Sequence, residues 1–487
     1  MKWIKYKIVC NTVGEEVILL DKKVGYSEIN LSIAKEEAYN NEYTIEDDTE
    51  TYNKEPLEIK YGGTGANNAK DACKNIEAVS TPKNHYLKDG FVYLNESGAT
   101  RFVNKLFKYS VIVDNGKVQD PASVEYADDC SDFEPMTMSA NGILYEGGWA
   151  NNVLLDMFKP CVIAPDSDEP TYYLNKNNLS QKEDGTPAVL TGEDGDVMVE
   201  VSGPLYGKIV NFGSKVKISI MNYRESDSFC FHDIGGVIKP KIYRGRYKAG
   251  VTADNANVLR SISGIAPLVN VTRAQCRERA INRGNGYHQN NVYMLFLWQA
   301  MYLLLFKNRN SQIALGQGIT KGTGISLTGQ NCGSTDDKPW IFGNQTQTDS
   351  VVFLGVEDFY GNIWEYVDGI VIDNAIYKLT RDPNKYNDTG DGFEISAASG
   401  LTSEIVDRNS FIKSIQGTNS LQFLPAGTGG GTTKYFCDSM FFADTSVCVT
   451  CFGGKTISMQ FAGAFFWDFA CLVDEFSDVN GSRLCRA

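Results

Sequence analysis

The chain has few of the residues that several kinds of functional site require. Among 487 residues there are only 3 histidines, and the 46 lysines and arginines are outnumbered by 60 aspartates and glutamates, which gives a net charge of −14. An acidic chain without a basic stripe is a poor partner for nucleic-acid phosphates or for an anionic membrane surface. We therefore expect neither a nucleic-acid partner nor a membrane partner.

Long apolar segments are also scarce. The N-terminal stretch MKWIKYKIVC has lysines but no continuous apolar core, so it is not expected to act as a signal peptide. The longest apolar run, residues 292–306, is shorter than the roughly 20 residues that span a bilayer, and Gln299 interrupts it. This run predicts a buried helix. A second helix is predicted over 272–282, with Thr272 as its N-cap.

The cysteines lack the spacing of a disulfide framework. All 12 are scattered, and we interpret them as mostly reduced thiols. Cys448 and Cys451 form an isolated C-x-x-C pair, whereas zinc binding would need a second pair or nearby histidines. A thioredoxin-like role would need a βαβ context, which the surrounding sequence does not show. Core or surface thiols are the simpler interpretation of this pair, with zinc or redox chemistry as the alternative.

The residues that are abundant favour a turn-rich protein with many strands. The chain has 46 glycines, 25 tyrosines and 25 phenylalanines, a composition that suits turns and aromatic packing. Alternating segments at 196–201, 215–220 and 239–245 predict half-buried strands, and the acidic segment 166–196 is predicted as a long loop. Helices in the middle of the chain and short strands towards its end indicate an α+β fold.

The last stretch, residues 427–487, combines two kinds of position. Five residues are interpreted as a fixed framework: Gly453, Gly454, Gly463, Trp467 and Arg483. Between them lie residues that follow neither a helical nor a strand period. Varied side chains on a rigid frame suit a recognition surface better than an active site, because catalysis requires defined polar groups in defined geometry.

Several segments resemble known families. Residues 61–66, YGGTGA, look like the GGTGA motif of bacteriophage tail fibres, and motifs between 196 and 318 resemble a phage tail-protein family. Residues 361–365, GNIWE, resemble a segment of C-type-lectin-like folds that is shared with formylglycine-generating enzymes. The tail from Gly453 resembles the variable region of proteins diversified by retroelements, which also use a C-type-lectin fold.

The resemblance implies an organisation and a function. Residues 1–60 would form a β-rich attachment region, 61–130 a GGTGA-type fibre segment and connector, and 131–487 a C-type-lectin-like receptor-binding domain whose variable part is about 427–487. The chain would be a trimeric tail-fibre tip in the virion, made in the host cytoplasm. Its partners would be a bacterial surface protein or glycan and, through the N-terminus, other tail or baseplate proteins. No catalysis and no cofactor are expected.

The same resemblance implies which side chains face the ligand and which form the core. Trp364 and Trp467 would be core anchors, and Glu365 or Asp368 is the alternative place for a calcium ion. Phe441, Phe461 and Phe466 also fit ordinary core positions. The implied ligand-facing positions are Tyr435, Phe436, Asp438, Met440, Phe441, Phe442, Thr450, Lys455, Ile457, Ser458, Gln460, Phe461, Phe466, Asp468 and Ala470.

Two enzymatic alternatives stay open. A formylglycine-generating oxidase relies on a cysteine pair in its C-terminal half, but no two of the cysteines there have a matching spacing. A glycan-degrading tailspike needs two carboxylates across a groove. Asp474 and Glu475 are a poor pair because adjacent residues on a strand point to opposite faces.

Overall fold

Two units make up the chain, Met1–Phe107 and Lys108–Ala487. The computed structural model describes residues 106–116, 118–322, 329–395, 409–416, 424–443 and 446–487, together with the backbone of five strands nearer the N-terminus. Those five are β1 (Tyr6–Cys10), β2 (Glu16–Val17), β3 (Tyr43–Asp47), β4 (Phe91–Leu94) and β5 (Thr100–Val103).

In the first unit, β1 pairs antiparallel with both β2 and β3, and β4 pairs with β5. The YGGTGA segment at 61–66 lies outside the described residues.

The second unit starts at Lys108, whereas the sequence placed the start of the last domain at 131. The difference arises because residues 108–114 and 124–128 are strands of a sheet that also contains residues 215–221.

Strands dominate the second unit, which is compatible with the α+β class. In chain order, its strands are β6 (Lys108–Asp114), β7 (Val124–Asp128), β8 (Thr137–Met138), β9 (Leu144–Tyr145), β10 (Phe158–Ile163), β11 (Tyr172–Asn175), β12 (Asn178–Lys182), β13 (Asp196–Ser202), β14 (Tyr206–Phe212), β15 (Lys215–Met221), β16 (Phe229–Cys230), β17 (Asp233–Ile234), β18 (Val237–Ile238), β19 (Lys241–Lys248), β20 (Gly250–Thr252), β21 (Asn255–Arg260), β22 (Tyr287–Gln289), β23 (Val352–Phe353), β24 (Val356–Glu357), β25 (Trp364–Asp373), β26 (Ile376–Leu379), β27 (Glu394–Ile395), β28 (Asn409–Gln416), β29 (Leu424–Thr428), β30 (Ser439–Phe442), β31 (Val447–Phe452), β32 (Trp467–Cys471), β33 (Asn480–Gly481) and β34 (Arg483–Arg486).

Its helices are fewer and mostly short. The α-helices are α1 (Val153–Asp156), α2 (Arg273–Ile281), α3 (Val292–Phe306) and α4 (Ser311–Ala314). Single 3₁₀ turns cover Gly147–Trp149, Pro383–Lys385 and Met459–Phe461. No helix in the described ranges is both long and apolar enough to cross a bilayer.

Three larger sheets organise this unit. One has the order β16-β14-β15-β6-β7, and another has β12-β11-β10-β13-β19-β34-β22. The largest runs β27-β26-β25-β31-β32-β30-β28-β29, with β33 paired to β25. The C-terminal strand β34 lies inside the second sheet, between β19 and β22. The final residues are therefore part of the core rather than a trailing end.

Helix α3 occupies the centre of the unit, and its predicted position is confirmed. Every side chain from Val292 to Phe306 is buried, so the run is apolar on all sides because no face meets water. The Asn291 side chain caps the helix by accepting hydrogen bonds from the backbone N–H groups of Tyr293 and Met294 at 3.1 and 3.0 Å. The Thr272 cap of α2 is confirmed as well, in a capping box with Gln275.

Strands are confirmed for the segments 196–201, 215–220 and 239–245, which form β13, β15 and β19. The expected half-burial was wrong for β13 and β19, because both faces of these strands are covered within the core. The prediction of one long loop at 166–196 was wrong, because the segment contains the antiparallel pair β11 and β12. The sequence of residues 351–355, Val-Val-Phe-Leu-Gly, also predicts a single strand. Instead β23 and β24 form a hairpin there, since Leu354 and Gly355 adopt positive φ angles of 49° and 80°.

Candidate binding surface

Three side chains, from α3, α4 and the residue before β30, hold the backbone of residues 462–465, which contain the framework residue Gly463. Gln299 of α3 donates from Nε2 to the Ala464 carbonyl at 2.9 Å, and the Ala464 N–H donates to Ser311 Oγ at 2.9 Å. The next N–H, that of Phe465, donates to Asp438 Oδ2 at 2.7 Å. These bonds satisfy the backbone of a turn inside the core, where unpaired backbone groups would be costly.

Gly463 is required by the close approach of Asp438. A Cβ at residue 463 would lie 2.2 Å from Asp438 Oδ1, so no other residue type fits without displacement. Burial raises the pKa of Asp438 well above its usual value. Burial thus favours the neutral form of this carboxyl group, which lies beneath Gly463, and its expected position facing a ligand is corrected.

A buried ionic cluster ties the GNIWE segment to the C-terminus. Glu365 Oε2 accepts from Arg483 Nε and Lys248 Nζ, both at 2.9 Å, and Oε1 accepts from Arg244 at 3.1 Å and Asn290 at 2.5 Å. Burial alone would raise the pKa of Glu365, but Arg483, Lys248 and Arg244 lower it well below its usual range. One carboxylate thus serves three buried cations, which couples β25, β19 and β34.

The carboxylates considered for calcium are occupied by cationic and amide donors. Arg277 contacts both oxygens of Asp368, at 2.9 Å from Nε and 2.6 Å from Nη2, and Gln289 donates to Oδ2 at 3.0 Å. Glu365 is surrounded in the same way. Across the part of the chain that the structure describes, no group of three or more His, Cys, Asp or Glu residues is arranged to hold a metal. These two residues act as structural ion-pair partners.

Many of the residues expected to face a ligand lie in the core instead. This placement corrects the surface position expected for Tyr435, Phe436, Asp438, Met440, Thr450, Ser458 and Phe466, all of which are buried.

The physical reason is long-range strand pairing. β30 lies between β28 and β32, and it pairs in parallel with β32 so that Met440 is opposite Trp467. Phe436 packs edge-on against Phe465 at 5.0 Å, and Phe466 packs against Trp364 with ring centroids 4.6 Å apart.

The remaining expected positions reach solvent to different degrees. Ile457 and Gln460 are exposed, and the half-buried group comprises Phe441, Phe442, Lys455, Phe461, Asp468 and Ala470. Trp364 and Trp467 are buried in the core. Gly453 and Gly454 have φ angles of 91° and 87°, in the left-handed region that glycine adopts without strain.

Residues 455–461, named here the tip loop, form a tight turn. Ser458 supports it from inside, because its hydroxyl accepts from the Lys455 N–H at 2.9 Å while its own N–H donates to the Lys455 carbonyl at 2.9 Å. The Met459 N–H donates to the Thr320 carbonyl at 2.8 Å. Met459 has a φ of 48°, a left-handed backbone that is uncommon for a non-glycine residue and that concentrates at functional sites.

Apolar side chains on the tip loop remain in contact with water. Ile457 is 47% exposed and Met459 is 44% exposed. Phe461, half-buried, stacks on Phe411 with ring centroids 5.4 Å apart. The loop is attached to α4 by Gln312, whose Nε2 donates to the carbonyls of Met459 and Ala462. The next residue of that helix, Ile313, is 61% exposed.

Sequence reasoning missed Met459 and Ile313. Met459 lies within the same irregular segment and could have been included on position alone. Ile313 is far away in sequence, and tertiary hydrogen bonds from Gln312 and Ser311 bring α4 to this surface.

The isolated C-x-x-C is not a functional pair in the fold. Cys451 Sγ lies 3.1 Å from Cys471 Sγ on the neighbouring strand, whereas Cys448 is next to Ser446 Oγ at 3.5 Å. Residues 448 and 451 alternate to opposite faces of β31. The ten cysteines among the described residues are all free and buried.

Comparison with protein-family models finds no match, and comparison with curated proteins finds none either. The site combines a core with buried ion pairs and hydrogen bonds and a small loop whose Ile457 and Met459 side chains reach solvent. Such an arrangement is suited to contacting another molecule.

Proposed function

We propose that this protein is the receptor-binding tip of a bacteriophage tail fibre, with a C-type-lectin-like C-terminal domain that recognises a protein or glycan on a bacterial surface. The tip loop is the observation that carries the proposal, because its exposed Ile457 and Met459 stand on a framework held by buried hydrogen bonds. The resemblance of residues 61–66, 361–365 and the tail to fibre and variable-protein motifs agrees with it.

The binding energy that one tip loop can supply is small, which fits a weak contact that is repeated in an oligomer. Complete burial of an Ile or Met side chain contributes about 1.5–3 kcal/mol, and each of these side chains is already about half-buried. One tip loop therefore contributes a few kcal/mol at most before the costs of association. A trimer, as the resemblance implies, would multiply this contact through avidity.

The proposal includes diversification of this loop. Ile457 and Gln460 can change without disturbing the fold because their side chains leave the core, whereas Gly463 and Trp467 cannot. The expected genomic signature is a neighbouring reverse transcriptase together with a near-copy of the end of this gene that differs mainly at adenines. If no such copy exists, diversification is refuted while a non-diversified fibre tip survives.

Binding is tested with fluorescently labelled full-length protein on a panel of intact bacterial strains. On a strain that the unmodified protein labels, Ile457→Asp is expected to weaken binding about tenfold, because it replaces an apolar contact with a charge. A tenfold loss of affinity corresponds to about 1.4 kcal/mol. Val237→Asp is the matched control, because Val237 is also exposed, at 58%, but lies on the β17–β18 hairpin. Equal effects of the two substitutions would contradict a role for the tip loop.

One observation favours the oxidase alternative, namely the Cys451–Cys471 contact. Burial raises the pKa of Cys451, and the hydrogen bond with Cys451 together with burial raises that of Cys471. Catalytic thiols need thiolate character and access, which this environment opposes. Oxidase turnover that Cys451→Ala abolishes would establish the alternative.

A further inference from the structure

Cys451 and Cys471 are 20 residues apart in sequence, but their side chains are in contact in the fold. The two residues lie on the antiparallel neighbours β31 and β32, where Val449 is opposite Cys471. Residues 449 and 451 share a face of β31, so Cys451 and Cys471 are diagonal neighbours on one face. Their sulfur atoms are 3.1 Å apart with no group between them. A disulfide has an S–S length of about 2.05 Å, so the sulfurs would have to approach by about 1 Å.

We propose that Cys451 and Cys471 are a cross-linking site that forms an intrachain disulfide when the protein meets an oxidising environment. The oxidant is a small-molecule disulfide such as oxidised glutathione. One thiolate attacks it, forming a mixed disulfide and releasing one thiol, and the second thiolate then displaces the other thiol. Two S–H bonds of the protein and the S–S bond of the oxidant break. One S–S bond forms in the protein, and two electrons and two protons pass to the released thiols.

The location of this bond would matter for the tip loop. The chain between Cys451 and Cys471 contains the whole loop, including Ile457, Met459 and Phe461. A disulfide at this point would fix the base of the loop and reduce the conformations lost on binding. This consequence for recognition rests on the proposed function, whereas the cross-link itself does not.

Burial sets the conditions under which the bond forms. Both residues belong to one apolar cluster with Cys276 and Trp364, so a small-molecule oxidant reaches them only when β31 and β32 open locally. We therefore expect oxidation of the folded chain to be slow at neutral pH and faster at alkaline pH or in dilute denaturant.

The test uses full-length protein incubated with oxidised glutathione, quenched with an alkylating reagent and digested without reduction. The expected result is a linked peptide pair containing Cys451 and Cys471, with the loss of two hydrogens, and a higher unfolding midpoint that returns to its starting value after reduction. Cys471→Ala should abolish both effects. Cys448→Ala removes a buried thiol from the same strand and should retain them.

Two results would overturn the proposal. One is that Cys451 and Cys471 both remain alkylated as free thiols after prolonged oxidation in dilute denaturant. The other is that Cys451 is found linked to Cys276 or Cys448 instead. Peptide mapping of the unsubstituted protein decides this even if a variant fails to fold. Labelling of bacterial cells is measured separately under reducing conditions, where the disulfide is absent. Labelling without any disulfide formation refutes only the cross-link, whereas disulfide formation without labelling refutes only the receptor-binding function.

Discussion

Replacing Glu365 with glutamine tests whether the buried ionic cluster holds the domain together. The substitution keeps the size of the side chain but leaves Arg244, Lys248 and Arg483 without their shared carboxylate, all three being buried. Removing one partner of a buried ion pair costs about 3–5 kcal/mol. Because three cations depend on this carboxylate, we expect Glu365→Gln to destabilise folding by about 5 kcal/mol, at the upper end of that range.

The pH dependence gives the prediction a second readout. The pKa of Glu365 is lower in the folded state than in the unfolded state. Its stabilisation is therefore present above the unfolded pKa of about 4.3 and is lost as the pH falls towards the folded pKa. The difference in unfolding free energy between the unsubstituted protein and Glu365→Gln should be largest at pH 7. It should become smaller only in strongly acidic solution.

The measurement is the urea-induced unfolding midpoint of the full chain, followed by tryptophan fluorescence. Glu125→Gln serves as the control, because Glu125 pairs with Lys215 at 3.0 Å but its side chain is 62% exposed. Exposed pairs contribute about 0–1 kcal/mol. If Glu365→Gln shifts the midpoint no more than Glu125→Gln does, the cluster does not stabilise the fold as argued.

Two further substitutions test the framework. Burial raises the pKa of Asp438, so the folded state binds this proton more tightly than the unfolded state does. The contribution of the protonated carboxyl group to stability is complete below the unfolded pKa of about 3.9 and is lost as the pH rises through the folded pKa. Asp438→Asn should therefore raise the thermal midpoint at pH 8 and have little effect at pH 4; an equal shift at both would contradict a raised pKa of the buried carboxyl group. Gly463→Ala should cost about 1–3 kcal/mol through overpacking against Asp438. In denaturant titrations Gly431→Ala, which meets open space, should change little, and similar effects of the two substitutions would contradict the close-packing argument.

Local patterns predicted the elements whose formation depends mainly on neighbouring residues. The apolar run 292–306 indicated α3, and the Thr272 cap marked the start of α2. The hairpin at 352–357 was missed because its turn uses Leu354 in a left-handed backbone, which few sequence patterns indicate for leucine.

The candidate site was only partly predictable. The irregular tail indicates residues around 455–461 as a candidate surface, because a helical or strand period, the sign of one buried face, is absent there. It did not distinguish Gln460, which is exposed, from Phe466, which is buried against Trp364. That distinction depends on strand pairing between distant residues, which no local pattern encodes.

By itself, the sequence determined an acidic, strand-rich chain with one buried apolar helix and a tail without a helical or strand period. These features follow from composition and short-range periodicity. Only the tertiary structure decided that Glu365 neutralises three cations, that Asp438 lies beneath Gly463, and that Cys451 meets Cys471. Each of these contacts joins residues that are distant in sequence. Their proximity results from the register of the sheets, which the packing of the whole core selects.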